Sequence, residues 1–450
     1  MRTNKIFNLG FIVAFMVLCT NVYAGPKIEQ WYSKNGAKVL FVQADSLPML
    51  DLSLTFAAGS ARDGELYGLA SATNNLLFEG AGGISATEIS KRLEQIGTKL
   101  GAGVKKDMAW ISMRSLSDKE KLHDGIEVLN MMLTQPDFGL QQIERQKKFM
   151  RIGLEQIKQS PGKIAGKKLY EKLYPQHPYG KPTGGNKETI EKLARSNILE
   201  FFKRYYVAAN ATVVIVGDID SAGAHELVEQ VLSGVKHGEK AGDIPEVETA
   251  KSGEIKIEYP SQQTHILIGQ NAIKKGDDRF PELYVGNHIL GGGSLISQLG
   301  QEIRVKRGLA YSVYSYFSTM QQRGTFIMGA QTRGKESGQA VDVMRQVLTD
   351  FIQNGPTQNE LEAAKKTITG SYPLGVASNG DIAGFLKVIG FYNLPLDYMD
   401  TFTSKIDKVT VKGVQQAFAE VLKPGNMTTV LVGGGVVANG VQGEKTGDIK

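Results

Sequence analysis

The sequence predicts an α+β fold made of two homologous domains in tandem, each a mostly antiparallel sheet packed against helices, arranged like a clamshell. The segment Asn210–Gly217 is matched by Asn426–Gly433, and Val128–Thr134 is matched by Val343–Thr349, both at an offset of about 215 residues. Two matches in the same order at one offset indicate a duplicated unit. Strands and helices mix without regular βαβ alternation, which favours antiparallel over parallel sheets.

The first unit shows both kinds of hydrophobic periodicity. Leu50–Phe56 alternates polar and apolar residues with a period of two, which predicts a half-buried strand. Helical spacing predicts helices over Leu122–Leu133, Ile143–Ile157 and Glu188–Tyr206. The apolar run Thr212–Val216 follows the last of these and predicts another strand.

The second unit repeats this arrangement and sets the predicted domain limits. Its predicted strands are His265–Gly269, Ser312–Phe317, Gly324–Ala330 and Thr428–Val432, and its predicted helices are Pro281–Leu290, Gly338–Asn354 and Gln358–Thr369. The stretch 237–254 is rich in Gly, Lys, Glu and Ala and predicts a linker. The sequence therefore predicts domains over 25–236 and 255–436, with a flexible tail over 437–450.

Composition excludes several classes of protein. Of the 450 residues, 41% are hydrophobic and 22% are charged, which is typical of globular proteins and excludes a disordered or fibrous chain. The formal net charge of +6 is weak for this size, and no basic and aromatic motif accompanies it. The sequence therefore predicts no nucleic-acid partner.

The N-terminus has the pattern of a secretory signal. Arg2 and Lys5 precede the apolar run Phe11–Cys19, and Ala24 supplies a small residue for cleavage. The apolar run is short for a spanning helix, although an uncleaved anchor is the alternative. Removal of residues 1–24 would take away Cys19, the only cysteine, which excludes disulfides and thiolate sites. We predict a periplasmic protein that has no membrane association after cleavage.

The histidines do not form a local zinc motif. A helical zinc pair needs two histidines three or four residues apart, so that both rings point to one side. The six histidines are far more widely spaced, and the closest two, His225 and His237, are twelve residues apart. The sequence also lacks a serine-hydrolase elbow and a phosphate-binding loop.

The most informative local motif is Arg304-Val-Lys-Arg307-Gly308-Leu309-Ala310-Tyr311. A helix that ends near Gly308 suits the preference for glycine after a helix, and a strand follows. Arg304 and Tyr311 would then meet at a helix-to-strand corner and offer donors to a peptide carbonyl or an oxyanion. The residues alone favour a plainer interpretation, a basic helix end that balances the helix dipole, beside an ordinary strand tyrosine.

Several motifs together resemble the insulinase/pitrilysin-like zinc metallopeptidases, particularly the half-length bacterial members related to mitochondrial processing peptidase. The motifs are Ala58-Gly59-Ser60 with Arg62 and Asp63, Gly68-Leu69-Ala70, His177-Pro178-Tyr179-Gly180, and Arg304 to Tyr311. The resemblance covers nearly the whole mature chain.

The chain departs from this family at the metal site. In active members Gly-Leu-Ala is followed by His-x-x-Glu-His, but here Ser71 and Asn75 stand at the histidine positions and Asn74 at that of the glutamate. Serine and asparagine are poor zinc ligands, and asparagine cannot accept a proton. Glu144 and Glu155 bracket the place of the third family ligand and are expected to be surface residues. We therefore expect no zinc in this chain.

The resemblance implies a division of labour between two chains. Arg304 and Tyr311 keep the family's spacing, so a homologous partner chain would supply zinc and the glutamate, while this chain holds the peptide substrate and its oxyanion. The chain alone is expected to be inactive. The alternative is a non-catalytic peptide-binding or scaffold protein with the same fold.

Two further segments have open interpretations. Lys99–Met113 contains the segment that forms a peptide-binding edge strand in active members, and here it either binds peptide or only closes the chamber. The stretch from Glu144 to Lys172 is strongly basic. It is either a wall that attracts acidic peptides or, as we favour, a solvated helix face.

Overall fold

The computed structural model describes residues 27–435. The predicted signal peptide, residues 1–24, and the predicted tail, residues 437–450, lie outside this range. Within it the chain has the predicted α+β architecture of two halves, each with its own sheet. None of the helices among residues 27–435 is long and apolar enough to cross a bilayer.

The N-terminal half is built on a six-stranded sheet with the strand order β1-β2-β8-β3-β7-β6. Only β2 and β8 pair in parallel, and the short strands β4 and β5 form a separate hairpin. The strands are β1 (Glu29–Tyr32), β2 (Lys38–Gln43), β3 (Met49–Phe56), β4 (Gly80–Ala81), β5 (Ile84–Ser85), β6 (Lys99–Val104), β7 (Ala109–Leu116) and β8 (Ala211–Gly217). The strand β6 therefore lies at a free edge of the sheet.

The C-terminal half repeats this topology. Its strands are β9 (Glu254–Glu258), β10 (Gln263–Asn271), β11 (Ala310–Ser318), β12 (Thr325–Arg333) and β13 (Thr428–Gly433). They follow the order β9-β13-β10-β12-β11, and only β9 and β13 are parallel. This order matches β2-β8-β3-β7-β6 strand for strand, with the parallel pair at the same end. The predicted duplication is thus visible in the fold, and β11 occupies the edge that β6 occupies in the first half.

Fourteen α-helices cover the sheets in the described part of the chain. They are α1 (Leu69–Leu76), α2 (Ala86–Gln95), α3 (Lys119–Thr134), α4 (Leu140–Lys158), α5 (Pro161–Leu173), α6 (Lys187–Lys192), α7 (Arg195–Tyr205), α8 (Ser221–Val231), α9 (Phe280–Asn287), α10 (Ser337–Asn354), α11 (Gln358–Ser371), α12 (Asn379–Tyr392), α13 (Tyr398–Asp407) and α14 (Val411–Val421). Most predicted helices are confirmed within a few residues of their ends.

Two predicted helices differ from the structure. The single helix predicted over Glu188–Tyr206 is wrong, because Leu193 is extended and separates α6 from α7. The Asn197 side chain accepts a hydrogen bond from the Ala194 amide and starts α7 anew, which the apolar spacing does not reveal. The helix predicted over Pro281–Leu290 ends as α9 at Asn287, and a π-helical turn continues over His288–Gly292.

The prediction that Leu50–Phe56 is half-buried is also wrong, because both faces of β3 are covered. Ser53 and Thr55, on the polar face of the alternation, are 6% and 0% exposed. Helix α12, from the other half of the chain, packs on this face across β8, β3 and β2. Its residues Leu386 and Ile389 are buried with Val214 of β8 in a shared apolar cluster.

The other sheet is covered in the same reciprocal way. Helix α5 belongs to the N-terminal half but packs on β13 and β10 of the C-terminal sheet. Ala165 and Leu169 of α5 are buried with Ile327, Val430 and Val432. Each half therefore completes the core of the other, so neither sheet has its full apolar cover without the second half.

The segment between the halves has no helix or strand over residues 237–253. It is nevertheless packed, because Ile244 and Val247 are buried in the cluster that α5 forms with the C-terminal sheet. The motif that begins at His177 holds this segment, since the His177 ring nitrogen Nε2 lies 2.8 Å from the Pro245 carbonyl oxygen. The other ring nitrogen, Nδ1, accepts a hydrogen bond from the Tyr179 amide. The His177 ring is therefore held at both nitrogens.

The β6–β7 hairpin connects the halves through one buried carboxylate. Asp107 is 1% exposed and accepts hydrogen bonds from the hydroxyls of Tyr179 and Tyr392 and from the Gln321 amide. Tyr179 belongs to the N-terminal half, whereas Gln321 and Tyr392 belong to the C-terminal half. Three donors satisfy a buried charge that would otherwise be costly.

The contact of α12 with the N-terminal sheet gives a testable pair of substitutions. A Cβ at Gly390 would lie 2.5 Å from Thr212 Cγ2 and 2.8 Å from Leu40 Cδ1, whereas a Cβ at Gly384 of the same helix would meet nothing within 4 Å. We expect Gly390→Ala to lower the free energy of unfolding by about 1–3 kcal/mol. Gly384→Ala should raise it by about 0.5–1 kcal/mol because alanine favours the helix. Urea unfolding of both variants measures this, and equal effects would contradict the packing described.

Candidate functional site

The segment that carries Arg304 is a π-helical turn, Gly300–Val305, followed by a sharp reversal. Gly308 adopts φ of +59°, a left-handed conformation that glycine takes without strain. The Leu309 amide then donates to the Ile303 carbonyl oxygen, which closes the turn, and β11 begins at Ala310. The predicted helix end near Gly308 is confirmed, although its last turn is π rather than α, a form that is frequent at functional sites.

A β-bulge turns Tyr311 out of the sheet. Ala310 pairs with Thr332 and Ser312 pairs with Gln331, so Tyr311 is the extra residue on β11. Its side chain is 79% exposed, the largest value among the exposed large apolar and aromatic side chains. Bulges redirect side chains and are over-represented beside active sites. The sequence does not reveal this bulge, because a bulge depends on the pairing register, which one strand does not show.

Arg304 and Tyr311 converge as the sequence predicts. The Arg304 guanidinium carbon lies 4.2 Å from the centre of the Tyr311 ring, a cation–π distance. Neither the guanidinium nor the Tyr311 hydroxyl has a hydrogen-bond or ion-pair partner among residues 27–435. The neighbouring Lys306 and Arg307 differ, because both are paired with Glu302 in their own turn. The stack orients two donors and leaves both open to a ligand.

The helix that would carry the family's metal motif is held by Asp63. The two carboxylate oxygens of this buried residue accept the amides of Gly68 and Ala70, each at 2.8 Å, and so cap the start of α1. Burial raises the pKa of Asp63 to about 7, against the lowering effect of these two hydrogen bonds and of Lys106. Burial lowers the pKa of Lys106 to about 8, and its ammonium donates to the Lys181 carbonyl.

The residues at the metal positions have structural roles. The Ser71 hydroxyl donates to the Thr183 carbonyl oxygen at 2.9 Å. Asn74 is fully buried, accepts a hydrogen bond from the Tyr206 hydroxyl at 2.8 Å and donates to the Gly103 carbonyl of β6 at 3.3 Å. Asn75 is exposed. Asn74 therefore joins α1 to the edge strand, and its amide nitrogen is used as a donor.

These residues do not fit a zinc ion. Glu144 and Glu155, which bracket the expected third ligand, are exposed on α4 and pair with Lys147 and Lys158 at 2.9 Å. Within residues 27–435, no group of three His, Cys, Asp or Glu side chains is arranged to hold a metal. A zinc site needs three protein ligands even when one position is left open, and the residues at the expected metal positions do not supply them.

The basic stretch between Glu144 and Lys172 is largely an ion-paired helix surface. Its pairs are Arg145 with Glu79, Lys147 with Glu144, Arg151 with Glu191, Lys158 with Glu155, and Lys167 and Lys168 with Glu171. Most of these side chains are partly or well exposed, so each pair adds little stability. This pattern supports the solvated helix face over an acid-attracting wall.

The structure does not bring the two candidate regions together. Helix α1 packs against α4, α7, β6 and β7, all in the N-terminal half. Arg304 and Tyr311 lie at the start of β11 in the C-terminal half, on a turn that packs against β11 and α10. The Arg304–Tyr311 stack and helix α1, which carries the positions of the family's metal motif, are thus separate features of one chain.

Comparison with known proteins agrees with this geometry. Residues 38–187 match the family model for insulinase, peptidase family M16, and residues 192–368 match the model for the peptidase M16 inactive domain. The structure of a peptidase M16 inactive domain from Pseudomonas fluorescens is similar, with 37% sequence identity and a TM-score of 0.88 over 91% of this chain and 98% of that one. The chain belongs to peptidase family M16.

Other M16 relatives carry mixed descriptions. A Helicobacter pylori protein described as the non-peptidase homolog YmxG is 28% identical over 84% of this chain and 88% of its own length. A Bacillus subtilis protein described as the uncharacterized zinc protease YmxG is 24% identical over 78% of this chain and 85% of its own length. The unsuitable metal positions of this chain are consistent with a member of the M16 family that binds no zinc.

The cap on α1 predicts a specific pH dependence. Between about pH 4 and pH 7 the folded chain keeps a proton on Asp63 that the unfolded chain releases, so this group lowers stability as the pH rises through that window. In the wild type this effect should lower the free energy of unfolding by roughly 2–4 kcal/mol. Asparagine does not titrate, so the fall should be much smaller in Asp63→Asn. Urea unfolding at pH 5 and pH 7.5 measures the difference.

Asp220→Asn is the matched control, because Asp220 also caps a helix, α8, but is exposed. It should show the same pH dependence as the wild type. If Asp63→Asn followed the wild type as well, the buried cap would not be the source of the effect.

Proposed function

We propose that this protein is the subunit without zinc of a heterodimeric M16 peptidase, in which it binds peptide and stabilises its oxyanion through Arg304 and Tyr311. A homologous partner chain would supply the zinc and the glutamate. The family assignment and the unsuitable residues on α1 support a chain that does not act alone. The proposal includes export to the periplasm through the N-terminal signal, which cell fractionation and the mass of the mature chain would test.

The observation that carries the proposal is the open Arg304–Tyr311 stack. The Arg304 guanidinium is partly buried and the Tyr311 phenol is exposed. Ordering the two side chains against one another costs entropy, and among the described residues the pair gains no hydrogen bond in return. Tyr311 is the exposed, bulged residue of β11, and Arg304 stacks on its ring from the preceding π-helical turn. Such a pre-oriented pair suits an oxygen that becomes negatively charged.

In the assembled enzyme each group would have a distinct task. The guanidinium supplies a permanent positive charge and several N–H donors in a fixed plane, which suits a peptide carbonyl or a carboxylate. The Tyr311 hydroxyl supplies a second donor whose direction is set by the stack. Strand β6, which packs against α1, lies at the edge of the sheet. Its free side would offer unpaired backbone groups to an extended peptide.

The alternative function is a peptide-binding scaffold without catalysis. The Helicobacter pylori relative described as a non-peptidase homolog favours it. It predicts peptide binding by this chain and no hydrolysis with any partner, and it gives no reason for the orientation of Arg304 and Tyr311.

The test uses the complex that co-purifies with this chain from the native cell envelope. Tyr311→Phe keeps the ring under Arg304 and removes only the hydroxyl, so kcat for peptide hydrolysis should fall while the complex remains intact. Arg304→Ala should lower kcat by about 10²–10³, the usual loss for one oxyanion donor. Steady-state kinetics on a fluorogenic peptide measures both.

Arg307→Gln is the matched control, because Arg307 lies in the same turn but is engaged by Glu302. It should leave kcat near the wild-type value. Wild-type rates in both the Arg304 and the Tyr311 variant would contradict the proposed division of labour. A chain that co-purifies with no partner and hydrolyses no peptide would favour the scaffold function.

A further inference from the structure

Three lysines from separate parts of the chain converge at the junction of the two halves. Lys105 lies in the β6–β7 hairpin, Lys275 follows β10, and Lys387 lies in the middle of α12. Burial, and then repulsion from Lys105, lower the pKa of both Lys275 and Lys387. Lys105 is thus close enough to repel each of the other two ammonium groups, and Lys275 and Lys387 are partly withdrawn from water.

None of the three ammonium groups has an ion-pair or hydrogen-bond partner among residues 27–435. Two of them instead face aromatic rings. The Lys387 ammonium lies 4.5 Å from the centre of the Trp110 ring, and that of Lys275 lies 5.8 Å from Tyr392 and 5.9 Å from Phe280. These contacts hold the cations in place but do not neutralise their charge.

Two carboxylates that could pair with Lys275 are already engaged by other groups. Asp107 attracts Lys275, but its oxygens already accept the hydroxyls of Tyr179 and Tyr392 and the Gln321 amide. Asp277, two residues after Lys275, is engaged by Arg279 at 2.8 Å. Three cations beside one carboxylate leave an excess of positive charge, which is unfavourable in a partly desolvated position unless an anion joins it.

The cluster stands at the end of the free edge strand. Lys105 follows β6 directly, and its carbonyl oxygen accepts the Ser60 amide, so the backbone of the hairpin is fixed. The Trp110 ring lies across Gly103 of β6, since a Cβ there would be 2.2 Å from that ring. Lys387, over the same ring, therefore lies beside the last residues of β6. A peptide paired with this strand would bring one of its ends or side chains to the lysines.

We propose that Lys105, Lys275 and Lys387 form a carboxylate-binding subsite at the end of β6, which selects extended peptides that carry an acidic side chain or a free C-terminus there. The peptide ligand rests on the proposed function, whereas the anion preference rests on the lysines alone. Backbone pairing with β6 does not depend on the sequence of the peptide, so the subsite would supply the specificity for particular peptides.

The test is peptide binding by this chain alone, measured by fluorescence anisotropy. Four labelled peptides of one sequence carry either a free or an amidated C-terminus and either Glu or Gln at internal positions. We expect the peptides with a carboxylate in the right place to bind about tenfold more tightly than the peptide with none. This preference should shrink as salt is raised from about 50 mM to about 300 mM. Comparison of the two single-carboxylate peptides tells a C-terminus from an acidic side chain.

Substitutions separate binding from folding. Lys387→Gln and Lys275→Gln should each abolish most of the preference for carboxylate. Both should leave the melting temperature unchanged or raise it, because they remove repulsion between cations. A purely structural role for these lysines predicts the opposite, a lower melting temperature. Lys91→Gln, an exposed lysine on α2, is the control and should change neither quantity.

The outcomes are distinct from those of the proposed function. Equal affinity for all four peptides, or an unchanged preference in both lysine variants, would overturn the subsite even if the heterodimer is active. A preference that depends on carboxylate and on Lys275 and Lys387 would establish the subsite even if Arg304 and Tyr311 proved unnecessary for hydrolysis.

Discussion

Each sheet has apolar residues on a face that is covered by a helix from the other half of the chain. Helix α12 lies on the N-terminal sheet and α5 lies on the C-terminal sheet, and both contacts are fully buried at residues such as Leu386 and Leu169. A sheet left with an exposed apolar face would be unstable in water. The two halves are therefore held in one relative position, which fixes every feature at their junction.

The β6–β7 hairpin makes use of that fixed junction. Asp107 at its tip is satisfied only when Tyr179 of one half and Gln321 and Tyr392 of the other surround it. The same contact places Lys105 near Lys275 and Lys387, which come from the second half. A structural carboxylate and a cluster of unpaired cations thus lie side by side at the end of a free strand, where the first stabilises the arrangement and the second remains available to a ligand.

The two regions that correspond to the family's site differ in how their polar groups are satisfied. On α1 the amide of Asn74 is buried and bonded to Tyr206 and Gly103, so the former metal position now supports the fold. At Arg304 and Tyr311 the donors are oriented and remain open within the described chain. Buried polar groups that are satisfied stabilise the fold, whereas ordered and open donors are available to a ligand.

The sequence by itself determined the α+β class, the duplication, most strands and helices, and the proximity of Arg304 to Tyr311, because these follow from periodicity and short spacing. It also indicated that Ser71, Asn74 and Asn75 are unsuitable for zinc, since that depends on side-chain chemistry alone. Only the tertiary structure decided that β3 is buried on both faces, that Tyr311 stands on a bulge, and that three lysines distant in sequence meet beside β6. Each of these features depends on which distant segments face one another across a sheet or between the halves. The residues within any one segment carry no local signal of those contacts.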